Sequence, residues 1–215
     1  MASLSQLIEQ IMENQTRFNL NAAIESWRQE LAAQPSLASD DRRELETHLA
    51  DAIAGFQQRG LNDEESFWLA RRRVGHPEQL GTRAPMFALN DGEHAIDLSK
   101  LHGRVVVLNF WASWCAPCLE ELPSLEQLQR DMPQVQIVAV STDDDATAYE
   151  RFLKEHSVSL LTVRDGEQRS NGMYGTIRFP ETYVIDKNGM IRRKFIGPQE
   201  WTSPEIVSYL KKLAS

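Results

Sequence analysis

The chain has 215 residues, enough at about 150 per domain for one large domain or two small ones. With 41% hydrophobic and 25% charged residues it has an ordinary soluble composition, which excludes a disordered or collagen-like chain. The net charge of −8 carries no basic block, which excludes a surface that tracks nucleic-acid phosphate or anionic lipid.

From the start of the chain the periodicity is helical. Leu4, Leu7, Ile8, Ile11 and Met12 form one apolar stripe. A second helix is predicted from about Asn21, turning Ile24, Trp27 and Leu31 inward before Pro35. A third opens at Asp40-Asp41, whose charges suit a helix N-terminus; it buries Leu45, Leu49, Ala52, Ile53 and Phe56 and ends at Gly60. The fourth begins at Asn62 with Glu65 three positions on, a capping-box spacing, and stops at Gly75 and Pro77. Residues 1–80 therefore read as a separate all-α domain of four helices. His48 and His76 read as solvated surface residues, and Arg71-Arg72-Arg73 as the solvated, cation-favouring end of a helix.

This region resembles the HAAS, or permease-prefix, type of helical module over residues 16–80. The resemblance is carried by Phe18 to Trp27, Leu45 to Leu49, Gly60 to Phe67 and Arg72 to Leu80. It implies an interaction module with a protein partner. No membrane segment follows: the best apolar run, Val105 to Ala112, includes Asn109 and is far shorter than the roughly 20 residues a spanning helix needs. The N-terminus has no basic n-region, and Glu9 and Glu13 interrupt what would be an apolar core, so this stretch does not read as a secretory signal. The chain as given reads as cytoplasmic, or as extracytoplasmic had a leader been removed.

Past a boundary near residue 81 the pattern changes to strands alternating with helices, an α/β domain with a mixed sheet over 81–215. Strands are predicted at Arg104–Trp111, Val135–Ser141, Leu160–Val163, Thr182–Asp186 and Met190–Ile196, the last two joined by an Asn-Gly turn. Helices are predicted at Cys115–Arg130, from Asp143–Asp145 to about His156, and from Ser203-Pro204. A turn-rich stretch with Gly166, Gly172 and Gly175 separates the third and fourth strands.

The chain has two cysteines, Cys115 and Cys118. Two thiols cannot build a disulfide framework or fill a four-ligand zinc site alone, which leaves a redox pair, half of an intermolecular metal site, or inert thiols. Their setting between a buried strand and a leucine-striped helix favours the redox pair. Cys115 falls at a helix N-terminus, where free N–H groups and the dipole favour the nucleophilic thiolate. Cys118 lies one turn on, within reach to resolve a mixed disulfide. Pro117 suits the first helical turn, and the flanking tryptophans form an apolar rim for a polypeptide.

Val107 to Pro123 and Arg178 to Asp186 are similar to two separate signatures of the TlpA-like branch of the thioredoxin superfamily, and the resemblance covers residues 84–213. It implies a thioredoxin fold and a thiol–disulfide oxidoreductase reducing protein disulfides, with a disulfide-bearing protein as substrate and an external thiol as reductant. No organic cofactor or metal is implied. Pro180 would be a cis-proline facing the dithiol and Phe179 a backbone partner for bound peptide, with Trp114, Ala116 and Pro117 completing the substrate surface. Asn109 stands where thioredoxin has a buried aspartate, and a neutral amide cannot accept the Cys118 proton. Glu121 is the acid that can assist proton transfer, or else a solvated helix residue. The alternative function is a redox-responsive interaction protein, its helical domain binding a partner and its dithiol acting as sensor.

Overall fold

The computed structural model describes residues 18–35, 37, 39–74 and 79–215. The predicted first helix, and the stop at Gly75–Pro77 with His76, lie outside the described residues. Three helices lead the described chain: α1 (Leu20–Ala32), α2 (Ser39–Gln58) and α3 (Asp63–Val74). Asn19 caps α1 by accepting the Ala22 N–H at 3.0 Å. Gly60, at φ +90°, makes the left-handed turn after α2 that residues with a Cβ rarely adopt. Asn62 opens α3 as predicted: its side chain accepts the Glu65 N–H at 2.9 Å, and Glu65 accepts the Asn62 N–H at 3.1 Å.

The remaining elements are β1 (Ala88–Asn90), β2 (Ala95–Asp97), a 3₁₀ turn (Leu98–Leu101), β3 (Val105–Trp111), α4 (Ala116–Asp131), β4 (Val135–Ser141), α5 (Ala146–Glu155), β5 (Leu161–Arg164), α6 (Arg169–Tyr174), β6 (Glu181–Ile185), β7 (Ile191–Ile196) and α7 (Pro204–Ala214). A five-stranded sheet has the order β5-β4-β3-β6-β7. The pairs β3–β4 and β4–β5 are parallel, while β3–β6 and β6–β7 are antiparallel. This is the mixed sheet of a thioredoxin fold, with β3 at its centre and buried along its whole length. Alternation along β3 splits the core. Val106, Leu108 and Phe110 face one side, whereas Val105, Val107 and Trp111 face α4, α5 and α7 on the other.

The helical module has its own apolar centre in Trp27, Leu31, Leu49 and Phe67, each at most 2% exposed. Full burial of such side chains is worth roughly 1.5–3 kcal/mol apiece. That centre continues without a break into the sheet face formed by Val106, Leu108, Val138 and Ile185. Helix α3 packs along β7. Polar contacts tie the two parts further: Asp41 pairs with Arg192, Glu44 with Lys212 at 2.9 Å, and His48 Nδ1 lies 3.0 Å from Glu205. His48, expected on the solvated surface, is only 12% exposed at its side chain because this docking covers it. Burial, and then the nearby Arg193, holds its pKa below the usual histidine value against the attraction of Glu205 and Glu44. Among the described residues no helix is long and apolar enough to cross a membrane.

Candidate active site

Strand β3 delivers the chain to the edge of the sheet, and α4 begins after four intervening residues. Asp143, at the end of neighbouring β4, holds the intervening loop. It accepts the Ser113 N–H at 2.9 Å and the Ser113 hydroxyl at 2.6 Å, and also binds Ser141 Oγ at 2.6 Å. Cys115 is thereby fixed as the N-cap of α4. Its Sγ accepts the Cys118 N–H at 3.3 Å, the geometry that would stabilise a thiolate there. The two cysteines are joined as a disulfide with Cα atoms 5.3 Å apart. Both are 5% exposed, whereas Ala116 and Pro117 between them are exposed.

Beneath the dithiol lies a polar cluster in an otherwise apolar core. Asn109 is 2% exposed and lines the same small cavity as Cys118. Its amide donates to Glu121 Oε1 and to Thr182 Oγ1, both at 2.8 Å. Glu121 is one helical turn beyond Cys118 and also 2% exposed, so the solvated alternative does not hold. Its second oxygen accepts the Gln199 backbone N–H at 3.1 Å and the Trp201 indole N–H at 3.0 Å. Burial raises its pKa from 4.5 to about 7, because the three donors recover only part of the lost hydration.

The Phe179–Pro180 peptide bond is cis, as the resemblance implied. The loop before it is anchored from below. Glu181 accepts from Thr176 Oγ1 at 2.6 Å and Tyr183 OH at 2.5 Å, and pairs with Lys194 at 2.9 Å, both charged groups being about 95% buried. Phe179 meets Trp114 edge-on with ring centroids 6.0 Å apart. Trp114, next to Cys115, is 69% exposed, and Ile177, two residues before Phe179, is 85% exposed, so each of these two loops presents an apolar side chain to solvent.

The structure thus brings Cys115, Cys118, Asn109 and Glu121 into one buried cluster, and Trp114 and Phe179 into contact above it. Pro117, Phe179 and Pro180 share a groove of about 430 Å³ that runs from the active-site turn to the helical module. Sequence reasoning missed Thr182, Gln199 and Trp201 as partners of this cluster, Asp143 as the anchor of the active-site loop, and Ile177 as an exposed apolar residue in the loop before the cis peptide. The Arg71–Arg73 run divides: Arg71 pairs with Glu30 at 2.6 Å, whereas Arg72 and Arg73 line the groove.

The Redoxin family profile matches residues 79–212. The thiol-disulfide oxidoreductase ResA of Bacillus thuringiensis (strain Al Hakam) is 34% identical over 138 residues, covering 63% of this chain and 79% of ResA. Among solved structures, one described as a thiol:disulfide interchange protein DsbE, from Chlorobium tepidum, aligns with a TM-score of 0.58 at 28% identity. It covers 62% of this chain and 96% of that one. A thiol-disulfide oxidoreductase from Bacteroides fragilis aligns with a TM-score of 0.54 at 25% identity, covering 61% and 99%. The family profile falls on the α/β part of the chain.

Proposed function

The chain belongs to the Redoxin family and is a thiol–disulfide oxidoreductase; from this premise we propose that it works as a reductase of protein disulfides. The observation that carries the reading is the dithiol at the N-terminus of α4, with Cys115 Sγ already accepting an α4 backbone N–H. In the reduced protein the Cys115 thiolate attacks one sulfur of a substrate disulfide. A mixed disulfide forms and the first substrate sulfur leaves as a thiolate. Cys118 then gives up its proton and attacks Cys115 Sγ, which releases the second substrate thiolate and leaves the Cys115–Cys118 disulfide. Two electrons pass from the dithiol to the substrate, and an external thiol must return them. The cycle calls for no organic cofactor or metal.

Asn109 cannot take the Cys118 proton, so we assign that role to Glu121. Its pKa near 7 matches a group that accepts a proton in one half of the cycle and returns it in the other. Asn109, with Gln199 and Trp201, orients the carboxylate. Trp114, Ile177 and Phe179 supply the apolar surface on which the substrate rests, and Ala116, Pro117 and cis-Pro180 keep the approach to Cys115 open.

The reading is tested with single-cysteine variants and a protein disulfide such as insulin. Cys115→Ser abolishes reduction, and Cys118→Ser accumulates a mixed disulfide that is visible on a non-reducing gel. Equilibration against glutathione fixes the direction: a dithiol more oxidising than the glutathione pool would refute the reductase assignment.

A further inference from the structure

The groove beside the dithiol has two walls of different origin. Pro117, Phe179 and Pro180 belong to the redox domain; Phe56, Arg59, Leu69, Arg72 and Arg73 come from α2, α3 and the turn between them. Arg178, next to the cis peptide, faces the module across the gap. The floor is apolar, from Phe56 and Leu69 to Ile196 and Pro198, while the rim carries four guanidinium groups. No carboxylate lines the groove among the described residues, and none of Arg59, Arg72, Arg73 and Arg178 has an ion-pair partner among them.

In a chain of net charge −8 this is a local concentration of positive charge held together against repulsion. Burial lowers the Arg73 pKa, the attraction of Glu205 opposes that, and Arg193 and then Arg59 add smaller repulsions. The Arg73 guanidinium rests on a neutral amide, Gln199 Oε1 at 3.3 Å. Arg59 lies over the Phe56 ring at 4.8 Å, and its Nε donates to the Gly55 carbonyl. Both guanidinium groups are held by neutral contacts with no ion pair among the described residues, the condition in which an incoming carboxylate gains most.

We propose that the helical module forms half of the substrate site, and that the Arg59–Arg72–Arg73–Arg178 rim selects polypeptides with acidic residues flanking the disulfide to be reduced. An extended segment lies along the apolar floor and presents its disulfide to Cys115, while its Asp and Glu side chains meet the arginines on either wall. This rests on the disulfide-exchange reading given above and adds the substrate class.

The test uses the full reduced chain and three synthetic peptides, each with one disulfide and flanked by Asp/Glu, Ser/Gln or Lys residues. The acidic peptide oxidises the protein about tenfold faster than the neutral one at low salt, the lower end of electrostatic steering, and the preference shrinks as salt rises. Arg59→Gln with Arg72→Gln, on the module wall, brings the acidic-to-neutral ratio towards one. Arg72→Glu moves the preference towards the Lys peptide. Both substituted arginines are exposed, and circular dichroism checks that each variant is folded. An acidic-to-neutral ratio near one in the parent chain, or unchanged in the module variants, overturns the inference. Equally fast reaction with glutathione disulfide, a small anion, also overturns it. Fluorescence anisotropy of a labelled acidic peptide with serines for cysteines reads the groove apart from the chemistry. Binding without reduction of any peptide would overturn the reductase reading and leave the acidic selectivity standing; no acidic preference in binding would overturn the selectivity alone.

Discussion

Replacing Glu121 by glutamine removes one titration from the core with little change of shape. In the native chain the Glu121 pKa is raised from 4.5 to about 7, so folding favours its protonated form. A raised native pKa stabilises fully below the unfolded value, and that stabilisation is lost as pH rises through the native one. Between pH 4.5 and 7 the native state holds a proton that the unfolded state has released, and stability falls with increasing pH. The full loss corresponds to about 3 kcal/mol, at 1.36 kcal/mol for each pKa unit. The oxidised protein is the form to measure, because neither cysteine titrates in the disulfide. Urea unfolding of the parent and Glu121→Gln proteins across this range gives the difference directly, with every other titration common to both. The carboxamide keeps an oxygen for the Gln199 and Trp201 donors but sets an NH₂ against Asn109, a constant offset of about 1 kcal/mol. The slope is therefore the readout. If the two profiles run parallel from pH 4.5 to beyond 7, Glu121 does not titrate as its surroundings require, and its assignment as proton acceptor falls with it.

Lys194→Met strands the Glu181 carboxylate beneath the cis-proline loop and costs about 3–5 kcal/mol, measured by denaturant unfolding. Adding Glu181→Met recovers much of that loss, which separates a stranded charge from a simple packing defect. Trp27→Ala removes a fully buried ring from the apolar cluster that spans module and sheet. It costs about 3–5 kcal/mol, and both parts still unfold in one calorimetric transition; two separated transitions would contradict a shared core. His48→Gln removes a pKa lowered mainly by burial, whose stabilisation is present above pH 6.5 and lost as pH falls. The parent melting temperature drops more steeply below pH 6.5 than that of the variant, and equal acid slopes would count against a buried neutral imidazole.

Much of this architecture is legible in local pattern. The continuous apolar runs of β3 and β4, the Asn-Gly turn before β7 and the Asn62–Glu65 box each carry their own signal within a few residues. So does the dithiol, because its chemistry depends on one strand-to-helix junction. The hairpin β1–β2 gave no such signal, since strands of three residues are too short to show a period. Helix α6 lies hidden in a glycine-rich stretch that reads as turn. The surroundings of Glu121 were out of reach for a different reason. Its donors Gln199 and Trp201 are 78 and 80 residues away, and only closure of the sheet brings them near. The docking of the module is of the same kind. His48 reads as a solvated residue on a charged helix until α7 and β7 cover it.

The outer edge of β7 is closed in two ways. The segment at 81–84 pairs with its beginning, through Gly81 N–H to the Ile191 carbonyl at 2.6 Å and Ile191 N–H to Thr82 at 2.9 Å, and α3 lies along the strand beyond. The opposite edge, β5, is only four residues long. An unpaired strand edge is a template on which another extended chain can grow. In the reductase cycle proposed above, the protein meets such chains in every turnover. With one margin of its sheet sealed and the other cut short, the fold offers a bound polypeptide little strand edge on which to pair outside the dithiol site.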